Sequence, residues 1–103
     1  MAQVVVRIEA LPDNALDAAS AFHELHLPGV REALESADSV VVTLPPAGPA
    51  HSGWRRAAVQ GLARSGVPTR INFLAGGDAQ AVDHALDWIA RAPGVTGQLF
   101  QLD

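Results

Sequence analysis

The sequence predicts an α/β domain built on an open, mostly parallel four-stranded sheet, in the order β-α-β-α-β-α-β. Three observations carry that prediction. Short runs rich in branched apolar residues recur along the chain (QVVVRI at 3–8, SVVVTL at 39–44, TRINFL at 69–74), and segments with helical spacing of apolar residues lie between them. Pro, Gly, Asn and Asp punctuate the joints. Unbroken apolar runs suit strands buried on both faces, and strands alternating with helices imply parallel pairing with right-handed crossovers.

Taken in order, residues 3–8 form the first strand, and Leu11-Pro12-Asp13-Asn14 ends it. Asp13 or Asn14 caps the helix that follows, because a short side-chain oxygen accepts from the free N–H groups of a first turn. Leu16, Ala19, His23, Leu27, Val30 and Leu34 share one side of that helix, with a kink or break expected at Pro28-Gly29. Residues 39–44 form the second strand, closed by Pro45-Pro46. After a Pro/Gly/Ala loop, Ser52 is the expected N-cap of a helix over 53–64, with Gly66 beyond its C-terminus. Gly61 in mid-helix costs about 1 kcal/mol relative to alanine, which a close approach of another element would explain. Residues 69–74 form the third strand, Gly76-Gly77-Asp78 turns it into a helix, and Asp78 is the cap. Val82, Ala85, Leu86 and Ile89 form the apolar stripe of that helix, Arg91 stands in its last turn, and Pro93-Gly94 stops it. A final strand covers 98–102.

The bulk numbers narrow the function classes. A chain of 103 residues with 49% hydrophobic and 17% charged residues reads as one domain (1–103) with a real core. The balance of 7 basic against 11 acidic residues, without basic blocks, argues against a nucleic-acid or anionic-membrane partner. The absence of cysteine excludes disulfides, thiolate metal sites and a cysteine nucleophile. No basic, apolar leader opens the sequence, and no window approaches the roughly 20 apolar residues of a membrane span, so a cytoplasmic protein is expected.

The segment WRRAAVQGLARSGVPTRINFLAGG resembles the stretch of short-chain dehydrogenases/reductases that reads YxxSKAAVxGLTR…GIRVNxIAPG, and PGVTGQLFQLD resembles that family's closing VTGQxxxVDGG. Upstream, HLPGVREALESADSVVVTLP is similar to the family's LLPxLRxxxxGxIVNISS. The resemblance spans essentially the whole chain and implies the C-terminal half of that Rossmann-like fold, its fourth strand through its seventh. It also implies that the chemistry is lost. Ser52 falls where the family's tyrosine stands and Arg56 where its lysine stands, and this pair cannot perform the family's proton transfer. The Gly-rich turn that binds a dinucleotide has no counterpart, so no nicotinamide cofactor and no dehydrogenase activity are expected. In the family, the two helices matching 15–36 and 53–64 form one subunit interface, and the last helix and strand another. A homodimer or higher homo-oligomer, or docking on a full-length dehydrogenase-like protein, is therefore implied, with residues 3–8 as an exposed sheet edge.

Two sets of candidate residues follow. Pro45, Gly48, His51, Ser52, Gly76, Gly77 and Asp78 lie at C-terminal ends of strands, where open α/β sheets place small ligands; the alternative is a pair of tight turns. Phe22, His23, His26, Trp54, Gly61 and Trp88 are the candidate interface residues, with core packing the alternative for the tryptophans. His23 and His26 have the spacing of a helical metal pair, but no third ligand is evident and no metal is expected. His51-Ser52 lacks an acidic orienter, which favours a capping serine over a nucleophile. Arg55-Arg56 reads as a solvated face. The leading functional expectation is a non-catalytic protein acting through association; the alternative is a small-ligand binder or enzyme using the strand-end loops.

Overall fold

The computed structural model describes residues 3–102. Its strands are Gln3–Arg7 (β1), Ser39–Leu44 (β2), Arg70–Gly76 (β3) and Leu99–Leu102 (β4), paired in parallel in the spatial order β1-β2-β3-β4. The register aligns Val6, Val42, Phe73 and Leu99 in one row, and Thr43, Leu74 and Phe100 in the next. Alternate residues of a strand point to opposite faces, so these rows belong to opposite sides of the sheet. The α/β class and half-Rossmann order expected from the sequence are what the chain forms.

One face is covered by α1 (Ala15–Ala21), a π turn (Phe22–His26), α2 (Leu27–Ser36) and α3 (Ser52–Ser65). Phe22, Val30, Val59 and Leu62 pack there against Val40, Val42, Ile71 and Phe73. The other face carries α4 (Ala79–Ala90), whose Leu86 and Ile89 pack on Val41 and Leu74. This arrangement corrects one expectation. The chain steps across the sheet in a single direction, yet the β3-α4-β4 connection crosses the face opposite to the other two, so its hand is opposite to theirs. With the first two crossovers right-handed, as nearly all are, the last is left-handed.

Polar side chains on the α4 side of β3 hold that unusual connection. Arg70 Nη1 donates to the carbonyls of Ile89, Ala92 and Val95 at 3.0–3.2 Å. Asn72, fully buried, donates to Val95 O and accepts from Gln98 N, both at 3.1 Å. The cation serving the end of α4 is thus Arg70. Arg91 instead pairs with Asp87 on the exposed surface at 2.6 Å.

Local details follow from the backbone. Asn14 caps α1, its Oδ1 accepting from Leu16 N at 2.9 Å and Asp17 N at 3.1 Å. Replacing Asn14 with alanine is expected to lower stability by about 1 kcal/mol, read by urea denaturation. The break expected at Pro28 is a π turn just before it, closed by Leu27 N donating to Phe22 O five residues back. Pro28 has no N–H to lose and sits in the first turn of α2. One extra residue in that turn shifts the upstream face by one position. Ala18 and Phe22 are buried in place of the expected Ala19 and His23, and Leu16 is left 82% exposed.

Three further expectations are corrected. A single 3-10 turn, Pro49–His51, leads into α3, so Ser52 is its first helical residue and makes no capping bond. Gly66 ends α3 at φ −93°, not in the left-handed region; a side chain there would press on Leu34. Gly61 faces open space, since a Cβ added to it would meet nothing within 4 Å.

Candidate functional site

In a parallel sheet all strands deliver their C-terminal loops to one end, and here those loops enclose two neighbouring cavities. The larger, about 340 Å³, is lined by Leu11, Asp13, Pro45, Gly48, His51 and Arg55 among others. The other, about 250 Å³, lies between Thr43, Pro45, Pro46, Gly76, Gly77 and Val82. Of the strand-end candidates, Pro45, Gly48 and His51 therefore meet in the first cavity, and Gly76 and Gly77 join Pro45 in the second. Ser52 and Asp78 line neither. Asp78 is occupied as the cap of α4, its Oδ1 accepting from Ala81 N at 2.8 Å.

His51 is 7% exposed and both its ring nitrogens are engaged. Nε2 lies 2.9 Å from Asp13 O and Nδ1 3.3 Å from Trp54 Nε1. A carbonyl only accepts and an indole only donates, so one neutral tautomer, with the proton on Nε2, satisfies both. His51 therefore ties the loop after β1 to the start of α3 and has no lone pair left to serve the hydroxyl of Ser52.

Arg55 is the residue that sequence reasoning placed wrongly. It is 2% exposed, not part of a solvated face. Nη1 donates to Pro45 O at 3.1 Å, Nε is buried without a partner, and the guanidinium carbon lies 5.5 Å from the centre of the Trp54 ring. No carboxylate forms an ion pair with it among the described residues. Burial lowers its pKa from the ordinary arginine value by disfavouring the charged form. A signal was present in the sequence: Arg55, Val59 and Leu62 fall at i, i+4 and i+7, so Arg55 shares the buried stripe of α3.

The interface candidates are scattered. Phe22 is 0% exposed, with its ring 5.6 Å from Phe73 and 5.5 Å from Trp54, and is a core residue rather than a surface one. Trp54 is partly buried and packs against the same core. His23 and Gly61 line a groove of about 300 Å³ with Leu27, Arg31 and Ala58, and His23 Nδ1 lies 2.7 Å from Ala19 O. His26 is partly buried as the last residue of the π turn. Trp88 is 52% exposed on α4, edge-on to Phe100 at 5.9 Å. No group of three or more His, Asp or Glu among the described residues is placed to hold a metal. No helix there is long and apolar enough to cross a membrane.

Comparison with protein families gives a match to the family described as short chain dehydrogenase-like protein, over residues 6–102. The chain belongs to this SDR-like family. No curated protein and no solved structure gives a significant match. In this SDR-like protein, Ser52 and Arg56, the positions that the resemblance sets against the family's tyrosine and lysine, lie in the first turns of α3. Ser52 is partly buried and Arg56 is exposed.

Proposed function

We propose that this SDR-like protein is a non-catalytic cytoplasmic domain that works by self-association, pairing through α4 and β4. The observation that carries this reading is the exposed Trp88. Beside it runs a shallow groove of about 630 Å³ lined by Ala81, Ala85 and Leu102, with His84, Asp87 and Arg91 at its margin. A large aromatic next to a groove floored by alanines is self-complementary about a two-fold axis: antiparallel α4 helices bring each Trp88 toward the other copy's Ala81. The resemblance supports the choice of surface, since the family's last helix and strand form a subunit interface.

Size-exclusion chromatography with light scattering tests the proposal. The wild type is expected to run as a dimer, and Trp88→Glu as a monomer with an unchanged far-ultraviolet spectrum, because Trp88 is not part of the monomer's core. A wild type that stays monomeric up to about 100 μM, well above micromolar affinities, overturns the reading. So does a Trp88→Glu variant that keeps the wild-type mass.

A further inference from the structure

We propose that the cavity under Arg55 binds a small organic monocarboxylate, with the carboxylate toward the guanidinium and the apolar body along Leu11 and the Pro45-Pro46-Ala47 loop. The inference stands on the strand-end geometry and is independent of the association reading.

Arg55 carries a buried charge that forms no ion pair among the described residues. A buried guanidinium is ordinarily matched by a carboxylate or by a full set of acceptors, because its hydration has been given up. Arg55 has one carbonyl acceptor, Pro45 O, and a buried Nε with none, and no acidic side chain pairs with it among the described residues. It also lines a cavity of about 340 Å³, enough for a molecule of several heavy atoms. Arg55 itself is 2% exposed, so its charge is screened less by water than that of a surface arginine, and it attracts a counter-charge placed beside it in that cavity. Nε itself is sealed from solvent; the unpaired charge, rather than that one hydrogen, draws the anion in.

The rest of the wall sets the ligand's character. Glu9 and Asp13 stand exposed on the lining, and their negative charge disfavours a multiply charged anion such as a polyphosphate. Leu11, Pro45, Pro46 and Ala47 add apolar contact to the same lining. His51 adds no anion-binding proton, since its Nε2 proton is committed to Asp13 O. One charge on an apolar body fits these walls.

The test is a nitrogen-proton NMR titration of the wild-type chain with hexanoate, hexanamide and inorganic phosphate. Hexanoate is expected to shift the Arg55 Nε–H and the Gly48 and His51 amides saturably. The neutral amide should bind at least about tenfold more weakly, the scale of one hydrogen bond to a charged group. Arg55→Met should abolish the shifts. Ala47→Trp, on an exposed loop, should block the cavity without disturbing the core, and it decides the matter if Arg55→Met does not fold. The proposal is overturned by the absence of saturation up to about 10 mM, beyond the millimolar range of weak fragments. Equal binding of hexanoate and hexanamide, binding of phosphate alone, or hexanoate binding that survives Ala47→Trp overturns it equally.

Discussion

Replacing Phe22 with alanine is expected to remove about 3–5 kcal/mol of stability, the cost typical of emptying a fully buried phenylalanine site. For a domain whose total stability is on the order of 5–15 kcal/mol, that is a large fraction. The reason lies in where Phe22 sits. Its ring joins the π turn to Trp54 on α3 and Phe73 on β3, so the cavity would open where helices and sheet meet. The π turn limits collapse, because its backbone is pinned by the bond from Leu27 N to Phe22 O. Urea melts of wild type and variant at one protein concentration measure the loss. A loss below about 1 kcal/mol would mean that Phe22 is not the keystone of this core.

Much of the fold was legible because strands and caps are local events. The three valines of 40–42 specify a doubly covered strand whatever surrounds them, and Asn14 and Asp78 cap helices through bonds within their own first turns. What the sequence hid depends on distant partners. The π turn changes which residues face the core by inserting one residue where Pro28 breaks the hydrogen-bond pattern, and no periodicity announces that. The hand of the last crossover depends on Arg70 and Asn72 gripping a loop more than twenty residues later. At the strand ends the loops were placed correctly while the key side chain was missed. Arg55 was assigned by its charge, although its helical spacing with Val59 put it inside.

Burying Arg55 also connects the proposed ligand to the fold. Its one acceptor, Pro45 O, is on the loop that closes β2 and separates the two strand-end cavities. An anion that draws on the guanidinium competes with that bond, so occupancy of the first cavity bears on the loop that walls the second. The Gly76-Gly77 turn lies on the far side of that loop and reaches toward β4. The strand-end site and the proposed α4-β4 surface therefore share a short stretch of backbone.

Gly76→Ala is expected to lower stability by about 2–3 kcal/mol and to dissociate the proposed dimer. Gly76 has φ +75°, a left-handed conformation that costs an L-residue roughly 1 kcal/mol or more. An added Cβ would also lie 2.9 Å from the backbone oxygen of Leu102, closer than such atoms approach, and Pro46 stands 3.6 Å away on the other side. Gly76 pairs with Leu102 in the register of β3 and β4, so the contact is relieved only if the end of β4 moves away. That movement would carry Phe100 from Trp88 and take Leu102 out of the groove proposed for the partner copy. Gly94→Ala is the reference, because a Cβ there meets nothing within 4 Å and its φ is not in the left-handed region; it is expected to stay within about 0.5 kcal/mol of wild type. Urea melts and light scattering on both variants read the two effects separately. A Gly76→Ala protein that is destabilised but still dimeric would show that β4 is anchored without contributing to association. One with wild-type stability and mass would show that the Gly76–Leu102 contact constrains neither.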